Sequence, residues 1–116
     1  MRLEVDEPFS KVVAAIDEDG TIIGLASAGT PRDGDAPTHW ELYSINVVAA
    51  QQGSGLADDL IGLTTGDNDT MVWVLADNAR AQGFYSRHGF RIEGATMVHE
   101  ATGGCQIRMV RRCLER

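Results

Sequence analysis

Three consecutive segments constrain this chain more than anything else in it. Trp40-Glu41-Leu42-Tyr43-Ser44-Ile45-Asn46-Val47-Val48 is rich in β-branched and aromatic residues and reads as a strand. Gln52-Gly53-Ser54-Gly55-Leu56-Ala57 is a glycine loop, and Leu56-Ala57-Asp58-Asp59-Leu60-Ile61 begins a helix. Strand, glycine loop and helix start form the order that holds a pyrophosphate. Glycines let the main chain approach the phosphates, and the unpaired N–H groups of a helix's first turn point at them. An ordinary turn has the same composition, so the loop alone assigns no ligand.

A second motif narrows the choice. The apolar strand Met71-Val72-Trp73-Val74-Leu75 ends in Ala76-Asp77-Asn78, and Ala79-Arg80-Ala81-Gln82-Gly83-Phe84-Tyr85-Ser86-Arg87-His88-Gly89-Phe90 follows. The Gln/Arg-x-x-Gly-x-Gly/Ala class of loop is met around Gln51 to Ala57. The run Asn-x-x-Ala-x-x-Phe-Tyr-x-x-x-Gly-Phe is met by Asn78, Ala81, Phe84, Tyr85, Gly89 and Phe90. Together, in this order and spacing, they resemble the GCN5-related N-acetyltransferases (the GNAT superfamily), from about Lys11 to the C-terminus.

Size and charge agree with one small enzyme-sized domain over residues 1–116. At 116 residues and 43% hydrophobic content the chain can bury a core. Its net charge of −7 argues against nucleic acid or an anionic membrane as principal partner, since both select clustered Lys and Arg. An anionic coenzyme remains compatible, because loop amides and a few arginines suffice for it. No signal pattern or apolar run of membrane length is visible, so a cytoplasmic location is expected by default. Cys105 and Cys113 are too far apart on one strand to bond to each other, and both are expected to be buried thiols. His39, His88 and His99 stand apart, with no metal-ligand spacing.

The pattern predicts a mixed α/β (α+β) fold with a mostly antiparallel sheet and two helices, in the order β-β-β-α-β-α-β-β. Lys11–Asp17 and Thr21–Ala28 form a hairpin across Glu18-Asp19-Gly20, and residues 29–38 form a loop. The first helix is expected to bury Leu56, Leu60, Ile61 and Leu63; the second, Ala79–His88, ends at Gly89. Trp73 is assigned to the core with Val72 and Val74, as are Phe84 and Phe90. The GNAT fold that the chain resembles has a further strand and two helices in front. Here Met1 to Ser10 is expected to supply at most one short irregular piece. The chain is then a fragment or a mis-started frame, a partner subunit supplies the missing wall, or the domain binds coenzyme without transfer. Apolar surface left open by the short front predicts a homodimer.

The resemblance implies the chemistry. Amides of Gln52, Gly53, Ser54, Gly55, Leu56 and Ala57 would cradle the pyrophosphate of acetyl-CoA. Main-chain groups at Ile45 and Val47 would pair with the pantetheine arm, with an N–H near Ile45 facing the thioester oxygen. Asn46 lies between them, at a position often aromatic or aliphatic in relatives. Asn78 reads both as a helix N-cap and as a contact of the pantetheine arm. Tyr85 is the candidate general acid for the departing thiolate, or else a packing aromatic beside Phe84. Glu41 is the candidate base for the amine proton, or else an exposed carboxylate at a strand edge. Arg80 and Arg87 read as phosphate partners or as solvated helix charges.

Two functional readings remain open from these residues. One is an N-acetyltransferase moving an acetyl group from acetyl-CoA to a primary amine of a small molecule or protein. The other is a non-catalytic acyl-CoA-binding or interaction domain. A doubly wound mononucleotide fold fits the glycine loop but not the antiparallel hairpins at both ends.

Overall fold

The computed structural model describes residues 1–6 and 10–113. Its strands are β1 (Arg2–Asp6), β2 (Ser10–Ile16), β3 (Ile22–Gly29), β4 (Trp40–Val47), β5 (Thr70–Leu75), β6 (Arg91–Val98) and β7 (Cys105–Arg111); its helices are α1 (Leu56–Thr65) and α2 (Ala79–Arg87). The mixed fold with two helices and a mostly antiparallel sheet is as expected, with one addition. The N-terminal residues form a regular strand, with Leu3 opposite Ala15 and Val5 opposite Val13. Their alternation of polar and apolar residues is too short to be decisive in isolation, and it is the pairing with β2 that completes the ladder.

Local chemistry sets the turns. Between β2 and β3, the Asp17 carboxylate accepts the N–H groups of Asp19 (2.9 Å) and Thr21 (3.0 Å), while Gly20 takes φ +84°. Asn78 caps α2 by accepting the Ala81 N–H at 3.0 Å. At the other end of α2, Phe90 N–H reaches the Tyr85 carbonyl and Gly89 N–H reaches Ser86, with Gly89 at φ +90°. This paired closure turns Phe90 back onto Tyr85. Arg111 of β7 closes α1, donating to the Thr65 hydroxyl at 3.0 Å and the Gly66 carbonyl at 2.9 Å.

The seven strands form one sheet in the order β1-β2-β3-β4-β5-β7-β6. Among the described residues its one parallel pair, β4 with β5, joins only Trp40, Glu41 and Leu42 to Thr70, Met71 and Val72. Beyond Leu42 the two strands part. A register shift on the β3–β4 side, where Ala28 faces Leu42 and Ser27 faces Ser44, leaves Tyr43 as an extra residue in β4. Such a bulge bends a strand and increases its twist. From Tyr43 to Val47, β4 therefore pairs with β3 alone, and its other edge is open.

Both helices pack on one face of the sheet. There Leu42, Ile61, Val72, Val74, Tyr85, Phe90 and Met109 form one cluster, and Val13, Ala15, Ile23, Ala26, Leu56 and Leu60 a second. Gly24 has no room for a side chain: a Cβ would stand 2.9 Å from Leu60 Cδ1. Leu63, expected inside, faces solvent, and Thr64 and Thr65 are buried instead. Their hydroxyls are satisfied by the carbonyls of Leu60 and Ile61. The cysteines are free, but Cys105 is exposed and Cys113 half-exposed, contrary to the expectation of buried thiols.

Trp73 also departs from expectation. It lies on the opposite face, across from Arg108, and its indole N–H donates to Asp33 at 2.9 Å. Arg108 is buried there among carboxylates, with Asp33 at 3.0 Å, Asp35 at 3.1 Å and Glu93 at 2.9 Å. This guanidinium fastens the loop at 30–39 and strand β6 to β7. Its hydrogen bonds, followed by the Ala95 N–H, hold the Glu93 carboxyl below the usual 4.5. Ionised Glu93 thus contributes stability above about pH 4.5 that is lost as pH falls through its lowered value. Replacing Arg108 by Ala should cost about 3 kcal/mol in urea unfolding at pH 7, because it strands its partners. Glu93→Gln should reduce the loss of stability as pH falls below about 4.5; an unchanged acid dependence would remove Glu93 from the network.

Candidate active site

Two hollows of about 320 and 350 Å3 run together along the open edge of β4, on the face that carries the helices. They share Val47, Gln52, Ala57, Arg80 and Phe84, so they form one groove. Ile45, Asn46, Asn78, Ala81 and Tyr85 line its inner end; Gln51, Gly53, Gly55, Asp58 and Arg87 line its outer end.

The outer end is built by the glycine loop that opens α1. Gly55 precedes α1 in the left-handed conformation, at φ +93°, and Gly53 takes φ +83°. A Cβ at either position would meet nothing within 4 Å, so the glycines are required by backbone conformation rather than by crowding. The first intrahelical bond is donated by Asp59 to the Gly55 carbonyl. The earlier N–H groups of the turn are thus left to other partners. Ser54 is tied down locally, its hydroxyl donating to the Gln51 carbonyl at 2.6 Å and accepting the Leu56 N–H at 3.3 Å. Ser54 and Leu56 therefore do not line the groove, and the Leu56 side chain belongs to the core. Arg80, on α2, reaches across to the Gln52 side chain at 2.9 Å. Asp58 also stands at this end, but it is engaged by His88 at 2.7 Å and Arg87 at 3.6 Å. With Arg87 paired to Asp58, Arg80 and the loop amides leave this end with a positive excess.

At the inner end Tyr85 is fixed by its neighbours. Phe84 meets it edge-on at 5.5 Å and Phe90 at 5.7 Å. Burial raises its pKa above the usual 10.0, so the phenol stays protonated through neutral pH. Phe84, assigned to the core from sequence, is only partly buried and forms groove wall. Asn78 serves as the N-cap and also lines the groove.

Glu41 is elsewhere. It is fully buried and lines a separate cavity of about 460 Å3, bounded also by Arg32, Asp33, Tyr43, Trp73, Met97, His99 and Gln106. Because Trp73 points away from the helix-bearing face, this cavity lies across the sheet from the groove. The two adjoin one strand, at Glu41–Tyr43 and at Ile45–Val47. Glu41 is therefore no exposed strand-edge carboxylate: its oxygens accept the Arg32 backbone N–H at 2.9 Å and the Arg32 guanidinium at 2.8 Å. From sequence, Arg32 and Tyr43 had no assigned role, Trp73 was placed in the core and His99 stood apart, because this cavity is assembled from distant segments. Arg80 was legible as one of two charges on α2, and its place two residues after Asn78 marks it as the one at the helix start.

The groove is thus framed by a bulged strand parting from its parallel neighbour, a glycine loop at the start of α1, and an asparagine-capped helix carrying a tyrosine. The sequence profile of the acetyltransferase (GNAT) family matches residues 2–90, and the chain belongs to that family. No curated protein matches the sequence. Solved structures share the fold. Nourseothricin acetyltransferase superposes with a TM-score of 0.74 at 24% identity, over 93% of this chain and 68% of its own. NAA60 of Arabidopsis thaliana, in complex with a bisubstrate analogue, gives 0.70 at 16%, over 91% and 77%. The NatC complex bound to Gag peptide and CoA gives 0.70 at 15%, over 90% and 70%.

The positive φ at Gly55 makes a direct prediction. Gly55→Val forces a β-branched residue into the left-handed region and should lower apo stability by about 1–3 kcal/mol in chemical unfolding, besides deforming the cradle. Wild-type stability would show that the loop relaxes without strain.

Proposed function

We propose that the chain transfers the acetyl group of acetyl-CoA to a primary amine, of a small molecule or a protein, by direct attack. The observation that carries this reading is the open edge of β4 from Tyr43 to Val47 beside the glycine cradle. Unpaired strand edges seek a partner, and an extended amide-bearing arm supplies one. The groove suits coenzyme A on its own terms. Gly53, Gly55, Ala57, Arg80 and Arg87 would hold the phosphates, and Ile45, Asn46, Val47 and Asn78 the arm. The coenzyme supplies an activated acyl thioester.

The residues then divide the work across the sheet. The N–H near Ile45 would stabilise negative charge on the acyl oxygen; a well-placed donor of this kind is worth about 3 kcal/mol. Tyr85, kept protonated by burial, would give its phenolic proton to the sulfur. Glu41, on the same strand and in the opposite cavity, would accept the amine proton. The gap between β4 and β5 gives the amine its approach from that cavity. Self-association through the exposed Leu3 and Val5 of β1 is part of the same reading.

Thermal unfolding and thiol release test the proposal together. At 100-fold excess over its dissociation constant, acetyl-CoA should add about 2.7 kcal/mol of stability. Tyr85→Phe should lower turnover by about 100-fold with little change in acetyl-CoA affinity. Wild-type turnover in that variant would remove Tyr85 from the reaction. Tight coenzyme binding without turnover on any amine would favour the non-catalytic acyl-CoA-binding reading.

A further inference from the structure

In the cavity across the sheet, the side chain of Arg32 sits between a buried carboxylate and an aromatic ring. Glu41 is 1% exposed, whereas Arg32, which pairs with it at 2.8 Å, is 65% exposed. The guanidinium carbon stands 4.7 Å from the centre of the Tyr43 ring. A carboxylate beneath and an aromatic face alongside are the two elements that recognise an ammonium or guanidinium group. Both are fixed independently of the Arg32 side chain. The Tyr43 hydroxyl donates to the Thr30 carbonyl, and Glu41 Oε1 accepts the Arg32 backbone N–H at 2.9 Å. Gly29 makes room for this tyrosine, since a Cβ there would lie 2.7 Å from its hydroxyl.

The neighbouring carboxylates are differently committed. Asp33, Asp35 and Glu93 surround buried Arg108, and Asp33 also takes the Trp73 indole N–H. Glu41 is held on its second oxygen only by a side chain largely in solvent. Only the Arg32 end of this pair lies in solvent, so the buried carboxylate gives up that side chain only in exchange for another cation, and the cavity of about 460 Å3 has the space to receive one.

We propose that Glu41 and Tyr43 form a cation subsite, that Arg32 is its internal stand-in, and that an acceptor bearing an alkylammonium group binds by displacing the Arg32 side chain. Naming the ligand an acceptor rests on the acetyl-transfer reading; the subsite does not. A tethered competitor reduces the apparent affinity of an external ligand by the fraction of time that it vacates the site. Arg32 thereby sets a threshold that weakly held cations do not cross.

Titration calorimetry with n-butylammonium chloride at constant ionic strength, without coenzyme, tests this. Arg32→Ala should bind the cation at least about 10-fold more tightly than the wild type, and Arg32→Ala combined with Glu41→Gln should lose that gain. Equal affinity in Arg32→Ala and wild type, or an undiminished gain in the double variant, would overturn the subsite. Arg32→Gln serves as a second vacated form, and circular dichroism reports folding. Loss of fold in both single variants would make the pair a structural clasp and would equally overturn the proposal. Thiol release in the same samples separates the two readings. Cation binding without turnover on any amine contradicts acetyl transfer alone; turnover with no gain in cation affinity in the vacated forms contradicts the subsite alone.

Discussion

The parting of β4 from β5 after three paired residues is the constraint on which the rest of the structure depends. A continuous parallel pair would satisfy both strands and leave no passage. The extra residue at Tyr43 bends β4 away, and the chain then carries an open row of backbone groups in the middle of its sheet. An internal edge of this kind is left to water or to the amides of an extended ligand.

The surrounding elements hold that gap open and furnish its two sides. On one side, α1 begins at the cradle and packs Leu56, Leu60 and Ile61 on the sheet, while Phe90 folds back to fix Tyr85. On the other, Arg108 ties the loop at 30–39 to β5, β6 and β7, and so places Arg32 and Asp33 beside Glu41. The bulged strand thus contributes to both compartments. Ile45, Asn46 and Val47 line the groove, and Glu41 and Tyr43 bound the cavity opposite. Family membership is carried by the sequence over residues 2–90; the division of labour between the two sides is carried by the geometry.

What was legible in the sequence was local. Glycines at a strand-to-helix junction, an asparagine before a helix and a glycine after it impose their conformations without help from distant residues. For that reason the cradle, the α2 cap and the Gly89 closure could be placed from sequence. Strand β1 was missed because five alternating residues become a strand only when β2 lies beside them. Trp73 was misassigned because Met71-Val72-Trp73-Val74-Leu75 is apolar throughout, so alternation gives no face; its indole N–H, which needs a polar partner when covered, was the available clue. The Glu41–Arg32 and Arg108–Asp33 pairs join segments whose proximity only the bulge and the loop create. No spacing rule reports them.

The central claim is that one open strand edge and one glycine cradle bind acetyl-CoA together. Amide hydrogen exchange with and without acetyl-CoA measures this most directly. The account predicts increased protection confined to residues 43–47, 53–58 and 78–85, appearing together as a single saturable event. Protection at the cradle without any at 43–47, or none in either segment at saturating acetyl-CoA, would contradict it.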